Sequence, residues 1–212
     1  MQKRRGIFIA FEGIDGCGKS TQAKKLYACL KKKGYSVMLL REPGGTPVSE
    51  KIRRILLDRR LDISPLTELF LYEAARSQLA ELVIVPALDK RQVVICDRYF
   101  DSTTAYQGYG RGIDIRLVER LNRAASLGIK PDLTFILDVD YRTSLTRRSK
   151  KPDRLEKEKK AFFNRVRRGF RSLASKRIVT LIDGRKDINS IFDEVRARTM
   201  HLIRNRGIRS AG

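Results

Sequence analysis

The run Gly13-Ile-Asp-Gly-Cys-Gly-Lys19-Ser20 constrains this chain more than any other stretch, because it fits G-x-x-x-x-G-K-S/T in a meaningful context. An apolar run, Ile7 to Phe11, precedes it, and Ala23, Leu26, Tyr27 and Leu30 follow at helical spacing. A strand that turns into a helix through Gly13, Gly16 and Gly18 makes successive backbone N–H groups converge, and the helix N-terminus adds partial positive charge. Ile14, Asp15, Cys17 and Thr21 complete the loop and the first helical turn. This is a cradle for nucleoside triphosphate phosphates. Lys19 would reach the β- and γ-phosphates, and the Ser20 hydroxyl would bind Mg²⁺. An ordinary Gly-rich turn is the alternative, and the flanking strand and helix argue against it.

The same alternation continues along the chain. Strands are predicted at 7–11, 37–40, 93–96, 133–137 and 178–182, all short, continuous and aliphatic, as when both faces of a sheet are covered. Between them, helical spacing joins Ile52, Ile55 and Leu56, then Leu117, Leu121 and Ala124 behind a capping Asp114. Ser64-Pro65 opens a long helix expected to break near Pro86. Two later helices carry Phe163, Val166, Phe170 and Leu173, and Ile191, Phe192, Val195 and Leu202. The pattern implies one α/β domain over 1–212, a three-layer sandwich on a five-stranded parallel sheet, with a frayed tail at 204–212. Ligands then belong at the carboxyl ends of the strands.

Charge and composition narrow the chemistry. Of 212 residues, 46 are Lys or Arg and 24 Asp or Glu, a net charge of +22 that favours anionic partners without choosing among them. The single His201 argues against His-based catalysis. Cys17, Cys29 and Cys96 lack metal or disulfide spacing, which suits a reducing cytoplasm. Five apolar residues after a basic N-terminus are too few for a signal h-region or a membrane span.

Three charged features stand out. Asp15 lies inside an anion cradle, where a carboxylate is costly unless it meets a hydroxyl or a metal-bound water. It serves either as a loop hydrogen bond or as a group facing a second substrate. Asp97 directly follows a strand, a position suited to helping hold Mg²⁺, with Arg98 pointing into the same crevice. Residues 142–171 hold thirteen Lys or Arg against three Asp or Glu. Pro152 interrupts the helical pattern there, leaving a cationic loop suited to closing over phosphates at about 148–156. Nucleic-acid binding is the rival reading, weakened because Phe162, Phe163 and Phe170 fall at helical core spacing rather than as stacking platforms. Cys17 sits where a helix N-terminus and Lys19 favour a reactive thiolate, unless it is simply a small buried residue.

FEGIDGCGKST (11–21), REPGGT (41–46), LYEAARSQ (71–78), DRYFDSTTAYQGYGRG (97–112) and DRLE (153–156), in this order and spacing, resemble bacterial thymidylate kinases from about Ile7 to Val195. The resemblance implies a P-loop nucleoside monophosphate kinase fold, transfer of the ATP γ-phosphate to dTMP with Mg²⁺, and a homodimer. It also implies residue roles. Tyr72 would stack on thymine, where the family usually has Phe, and its hydroxyl then needs a partner or an exit to water. Arg76 and Thr103 would contact the base, Gln107 would border base and sugar, and Tyr106 would press where a 2′-OH would lie. Asp15 would meet the 3′-hydroxyl. Arg98 would hold the dTMP phosphate, with Arg41, Glu42 and Pro43 shaping the crevice. Arg147 would flank adenine. Some members carry Arg directly after the loop acid. Gly16 stands there here, so Arg148 or Arg154, with Lys151 weaker, would supply the transition-state cation.

Overall fold

Residues 6–148, 153–175 and 178–210 are described by the computed structural model. Five strands form one parallel sheet in the order β2-β3-β1-β4-β5, where β1 is Ile7–Glu12, β2 Val37–Arg41, β3 Val93–Asp97, β4 Leu133–Asp138 and β5 Val179–Asp183. Each lies within a residue or so of its predicted position. In β1, Ile7, Ile9 and Phe11 enter one apolar cluster while Phe8 and Ala10 enter another, which is why the strand is apolar throughout. The first cluster is roofed by α1 (Lys19–Lys32), α8 (Lys160–Leu173) and α9 (Ile188–Asn205). The second lies under α3 (Pro65–Leu79) and α4 (Val85–Asp89). The chain is therefore the expected three-layer sandwich.

In register, Phe11 faces Asp97 and Glu12 faces Ile136, so β1 and β3 end side by side. The phosphate loop and the Asp97-Arg98 pair thus leave the sheet as neighbours.

Some helical details differ from expectation. The helix from Pro65 does not stop at Pro86. A wide π turn at Ala80–Ile84 opens the ladder before the proline, relieving its clash, and α4 continues through it. A short α5 (Phe100–Thr103) and a second π segment, Thr104–Gly110, follow β3 where hydrophobic spacing assigned no element. On α6 (Ile115–Ala125) the buried stripe is Val118, Asn122 and Ala125, one residue round from the predicted face. On α2 (Pro47–Leu57), Leu56 is buried but Ile55 is 44% exposed. The tail is tied down further than expected: α9 runs to Asn205, Arg206 pairs with Asp132, and Ile208 packs on the core. The remaining helix, α7 (Tyr141–Arg147), leads to the basic stretch, of which 149–152, including Lys151, lie outside the described residues.

Candidate active site

The loop between β1 and α1 has the conformation its glycines allow. Gly16 sits at φ 76°, and a Cβ there would lie 2.5 Å from the Ser144 carbonyl oxygen. Gly18 caps α1 with no side-chain hydrogen bond, so the first-turn N–H groups remain for an anion. A cleft opens beside them, lined by Gly16, Cys17, Gly18, Lys19, Ser20, Thr21 and Arg147. Arg147 is fixed on its rim by donating to the Gly184 carbonyl at 2.8 Å. Gly184, Lys186 and Ile188, from the turn after β5, also line it. No motif marks them in the sequence. Lys19 folds back, with Nζ 3.4 Å from the Ile14 carbonyl oxygen and 3.5 Å from Asp15 Oδ1.

Cys17 takes the inert alternative. It is buried in the core cluster, and burial pushes its thiol up despite Lys19 beside it. The cost of stripping a thiolate of water outweighs the nearby Lys19 and Arg98 charges here.

Ser20 donates its hydroxyl hydrogen bond to Asp97 Oδ2, while Asp97 Oδ1 is buried with no partner among the described residues. No cluster of three or more His, Cys, Asp or Glu among the described residues could hold a metal by itself. Two hard oxygens with one carboxylate oxygen unclaimed fit Mg²⁺, which keeps water and phosphate ligands rather than an all-protein cage.

A second cleft adjoins the loop. It gathers Asp15, Pro43, Tyr72, Arg76, Arg98, Thr103, Tyr106 and Gln107, from four separate stretches of sequence. Glu42, Arg53 and Leu155 also line it, the last two unforeseen. Arg41 is not brought in. It is exposed at the end of β2 and pairs with Glu50 at 3.0 Å.

Asp15 joins the two clefts. Its Oδ1 accepts from Arg98 and its Oδ2 accepts from the Tyr106 hydroxyl at 2.9 Å. Burial opposes its charge, but Arg98, Lys19 and the Tyr106 hydrogen bond hold the carboxyl well below the usual range. Arg98 has φ 73°, the left-handed region that costs a non-Gly residue roughly 1–2 kcal/mol. Its N–H on the Phe11 carbonyl (2.9 Å) and its Nη1 on the Gly13 carbonyl (3.1 Å) and Ser102 Oγ (3.0 Å) hold it there. Beneath it, the buried Glu12 accepts from the Tyr99 and Ser102 backbone N–H groups at 2.7 and 3.2 Å, and from the Ser102 hydroxyl at 2.5 Å. Sequence reasoning passed over Glu12, because a carboxyl ending an apolar strand carries no motif of its own.

The other predicted residues have partners of their own. Arg76 is buried, donating to Glu42, Glu73, Asn122 and Thr103, so a base contact must share one of those donors. Tyr72 is half-buried, with no hydrogen bond among the described residues, and burial pushes its hydroxyl up. Neither proposed transition-state cation lines a cleft. The Arg148 guanidinium stacks 3.8 Å above the Phe163 ring and donates to Ser144 Oγ. Arg154 donates to Glu68 Oε2 at 2.5 Å and to the Leu56 carbonyl at 2.9 Å.

Known proteins share this arrangement. Residues 11–195 match the thymidylate kinase family. A thymidylate kinase from Caldanaerobacter subterraneus subsp. tengcongensis is 49% identical over 191 residues, spanning 88% of this chain and 91% of that protein. One from Dehalococcoides mccartyi (strain BAV1) is 54% identical over 166 residues, 77% of this chain and 80% of that protein. The crystal structure of thymidylate kinase from Ehrlichia chaffeensis superposes with a TM-score of 0.75 at 36% identity, covering 92% of this chain and 98% of that one. With a glycine-rich phosphate-loop sequence, two adjoining clefts and this kinship over most of its length, the chain belongs to the thymidylate kinase family, whose members phosphorylate dTMP to dTDP with ATP.

Proposed function

We propose that the two clefts hold ATP and dTMP end to end, with Asp15 at their junction. The observation that carries this division is Asp15 itself: a residue of the phosphate loop whose carboxylate lines the neighbouring cleft and is held there by Arg98 and Tyr106. The loop N–H groups from Gly13 to Thr21 and Lys19 take the β- and γ-phosphates, and Arg147 flanks adenine. Ser20 and Asp97 would hold Mg²⁺, which would supply charge neutralisation for the phosphates. In the second cleft, Arg98 and Arg53 meet the dTMP phosphate and Asp15 meets the 3′-hydroxyl. The Tyr106 ring, backed by Phe162 and Phe170, fills the space a 2′-hydroxyl would need. Tyr72 stacks on the base, and Arg76, Thr103 and Gln107 meet its edge.

No general base is required. The second pKa of a phosphate monoester is about 6, so dTMP is mostly a dianion near pH 7 and its oxygen is already nucleophilic. The difficulty is bringing two polyanions into line, which cations and positioning solve. Arg148 and Arg154 are the cations assigned to the transferred phosphoryl group, and each must exchange its present partner to reach it.

A homodimer is part of the same proposal. Leu66 and Phe70 on α3 and Val48 and Ile55 on α2 are 44–51% exposed, and the two helices pack side by side. Such an apolar face on a charged molecule suits a second copy. A cytoplasmic setting accords with three free cysteines. Among the described residues, no helix is long and apolar enough to cross a membrane.

Steady-state kinetics of Arg98→Ala test the division of the clefts. The expected result is a rise in KM for dTMP of about tenfold or more, from loss of a charge-assisted contact, with KM for ATP little changed. A comparable rise in KM for ATP would place Arg98 on the donor side and contradict the assignment.

A further inference from the structure

Glu68 is a fully buried carboxylate that touches neither proposed metal ligand and holds Arg154, one of the cations assigned to the phosphoryl group. It sits on α3 one turn before Tyr72, and its two oxygens are divided between different partners. Oε1 accepts from Gln107 Nε2 at 2.8 Å and from Arg111 Nε at 3.2 Å. Oε2 accepts from Arg111 Nη2 at 3.2 Å and from Arg154 Nη2 at 2.5 Å. Burial opposes its charge, but the Arg111 and Gln107 hydrogen bonds and the two guanidinium charges hold the carboxyl below its ordinary value. It is therefore ionised at neutral pH and can only accept.

That fixes the orientation of Gln107. A carboxamide can face a carboxylate only with its NH₂ group, so the choice between its two ends is forced by chemistry. Gln107 lines the acceptor cleft, and its Oε1 has no protein partner among the described residues, nor is it sealed among the buried unsatisfied atoms. The end left for a ligand is a carbonyl oxygen.

We propose that Glu68 is a specificity-determining positioning residue: by holding Gln107 Nε2, it makes the cleft offer an acceptor to the base edge and so selects pyrimidines that carry N3–H. This rests on the placement of the base in that cleft. Thymine and uracil have an N3–H to donate, directly or through one water. Cytosine has a bare N3 lone pair, which meets the Gln107 oxygen as acceptor against acceptor. A site built to receive an N–H rejects analogues lacking it more strongly than an apolar pocket rejects a missing methyl.

Glu68→Gln reverses the logic with almost no change in shape. Two guanidinium groups donate at the Oε2 position and only one, with Gln107, at Oε1, so the new carbonyl oxygen goes to Oε2 and the NH₂ faces Gln107 and Arg111 Nε. Gln107 must then turn its oxygen toward residue 68 and its own NH₂ into the cleft. The test is kcat/KM for dTMP and for dCMP in wild type and in Glu68→Gln, with folding followed by circular dichroism. The ratio of dTMP to dCMP is expected to fall by about tenfold or more, dTMP losing and dCMP gaining through KM. An unchanged ratio overturns the proposal, whether or not overall turnover drops, because a merely structural Glu68 would slow both acceptors alike. Should Glu68→Gln not fold, wild-type binding of N3-methyl-dTMP decides: at least tenfold weaker binding than dTMP supports the proposal, and equal binding overturns it. Wild-type enzyme that does not phosphorylate dTMP would instead remove the underlying reading of the cleft, a separate outcome from an unchanged ratio.

Discussion

Glu12 and Arg98 form one unit: the buried carboxyl group anchors the backbone just after a residue held at positive φ. The cost of burying Glu12 is visible in its titration. Loss of hydration and the nearby Asp101 push it up to about 8, against an ordinary 4.5. Between those values the folded chain keeps a proton that the unfolded chain has lost. Stability must therefore fall as pH rises through that window. The melting temperature is expected to decline from about pH 5 to pH 8, with a shallower slope in Glu12→Gln, which keeps the shape and cannot ionise. Equal slopes in the two proteins would show that Glu12 does not carry the effect. At this scale the sequence was legible in placement: Lys19 and Ser20, from the loop motif, and Asp15 and Asp97, from their positions beside strand ends, lie together in the structure. It was illegible for Cys17, whose reactivity turned on burial, and for Arg41, whose outward direction depends on where β2 lies in the sheet.

Among the elements, the π segment Thr104–Gly110 decides where Tyr106 and Gln107 point, and α8 packs directly upon it. Gly169 on α8 lies against Tyr109. Two effects compete there. Replacing Gly by Ala inside a helix ordinarily stabilises by about 0.8–1 kcal/mol. Here the new Cβ would lie 2.8 Å from Tyr109 Cγ and Cδ2 and 3.0 Å from Tyr109 Cβ. Overpacking of that kind costs roughly 1–3 kcal/mol, so the sign reverses. Gly169→Ala should lower the urea midpoint with little change in slope, and a raised midpoint would refute the tight seat. Strands and their order of occurrence were readable because short continuous aliphatic runs between helical patterns permit little else. The π segments were not, since hydrophobic spacing carries no mark for one extra residue per turn. The shifted face of α6 has a polar cause: the buried Asn122 there bonds Arg76 and Thr104, and an apolar count cannot see it.

As a whole molecule, the chain carries a net charge of +22 and yet leaves an apolar face on α2 and α3. Two such copies repel, so the proposed homodimer should tighten as salt screens them. Sedimentation is expected to give a dimer of the 24.3 kDa chain for wild type and a monomer for Phe70→Arg. A wild-type monomer at every salt concentration would exclude the dimer. The excess charge also accounts for attraction of polyanions in general, but charge alone cannot shape the cleft that Tyr72, Tyr106 and Gln107 line. The central claim is that ATP turnover here is coupled to an acceptor nucleotide held beside the phosphate loop. Its most direct measurement is ADP formation by the homogeneous protein with Mg²⁺ and ATP, with and without dTMP and free of nucleic acid. ADP and dTDP should appear together in equal amounts when dTMP is present, with little ADP in its absence. ADP release that ignores dTMP, or that requires nucleic acid, would contradict the account.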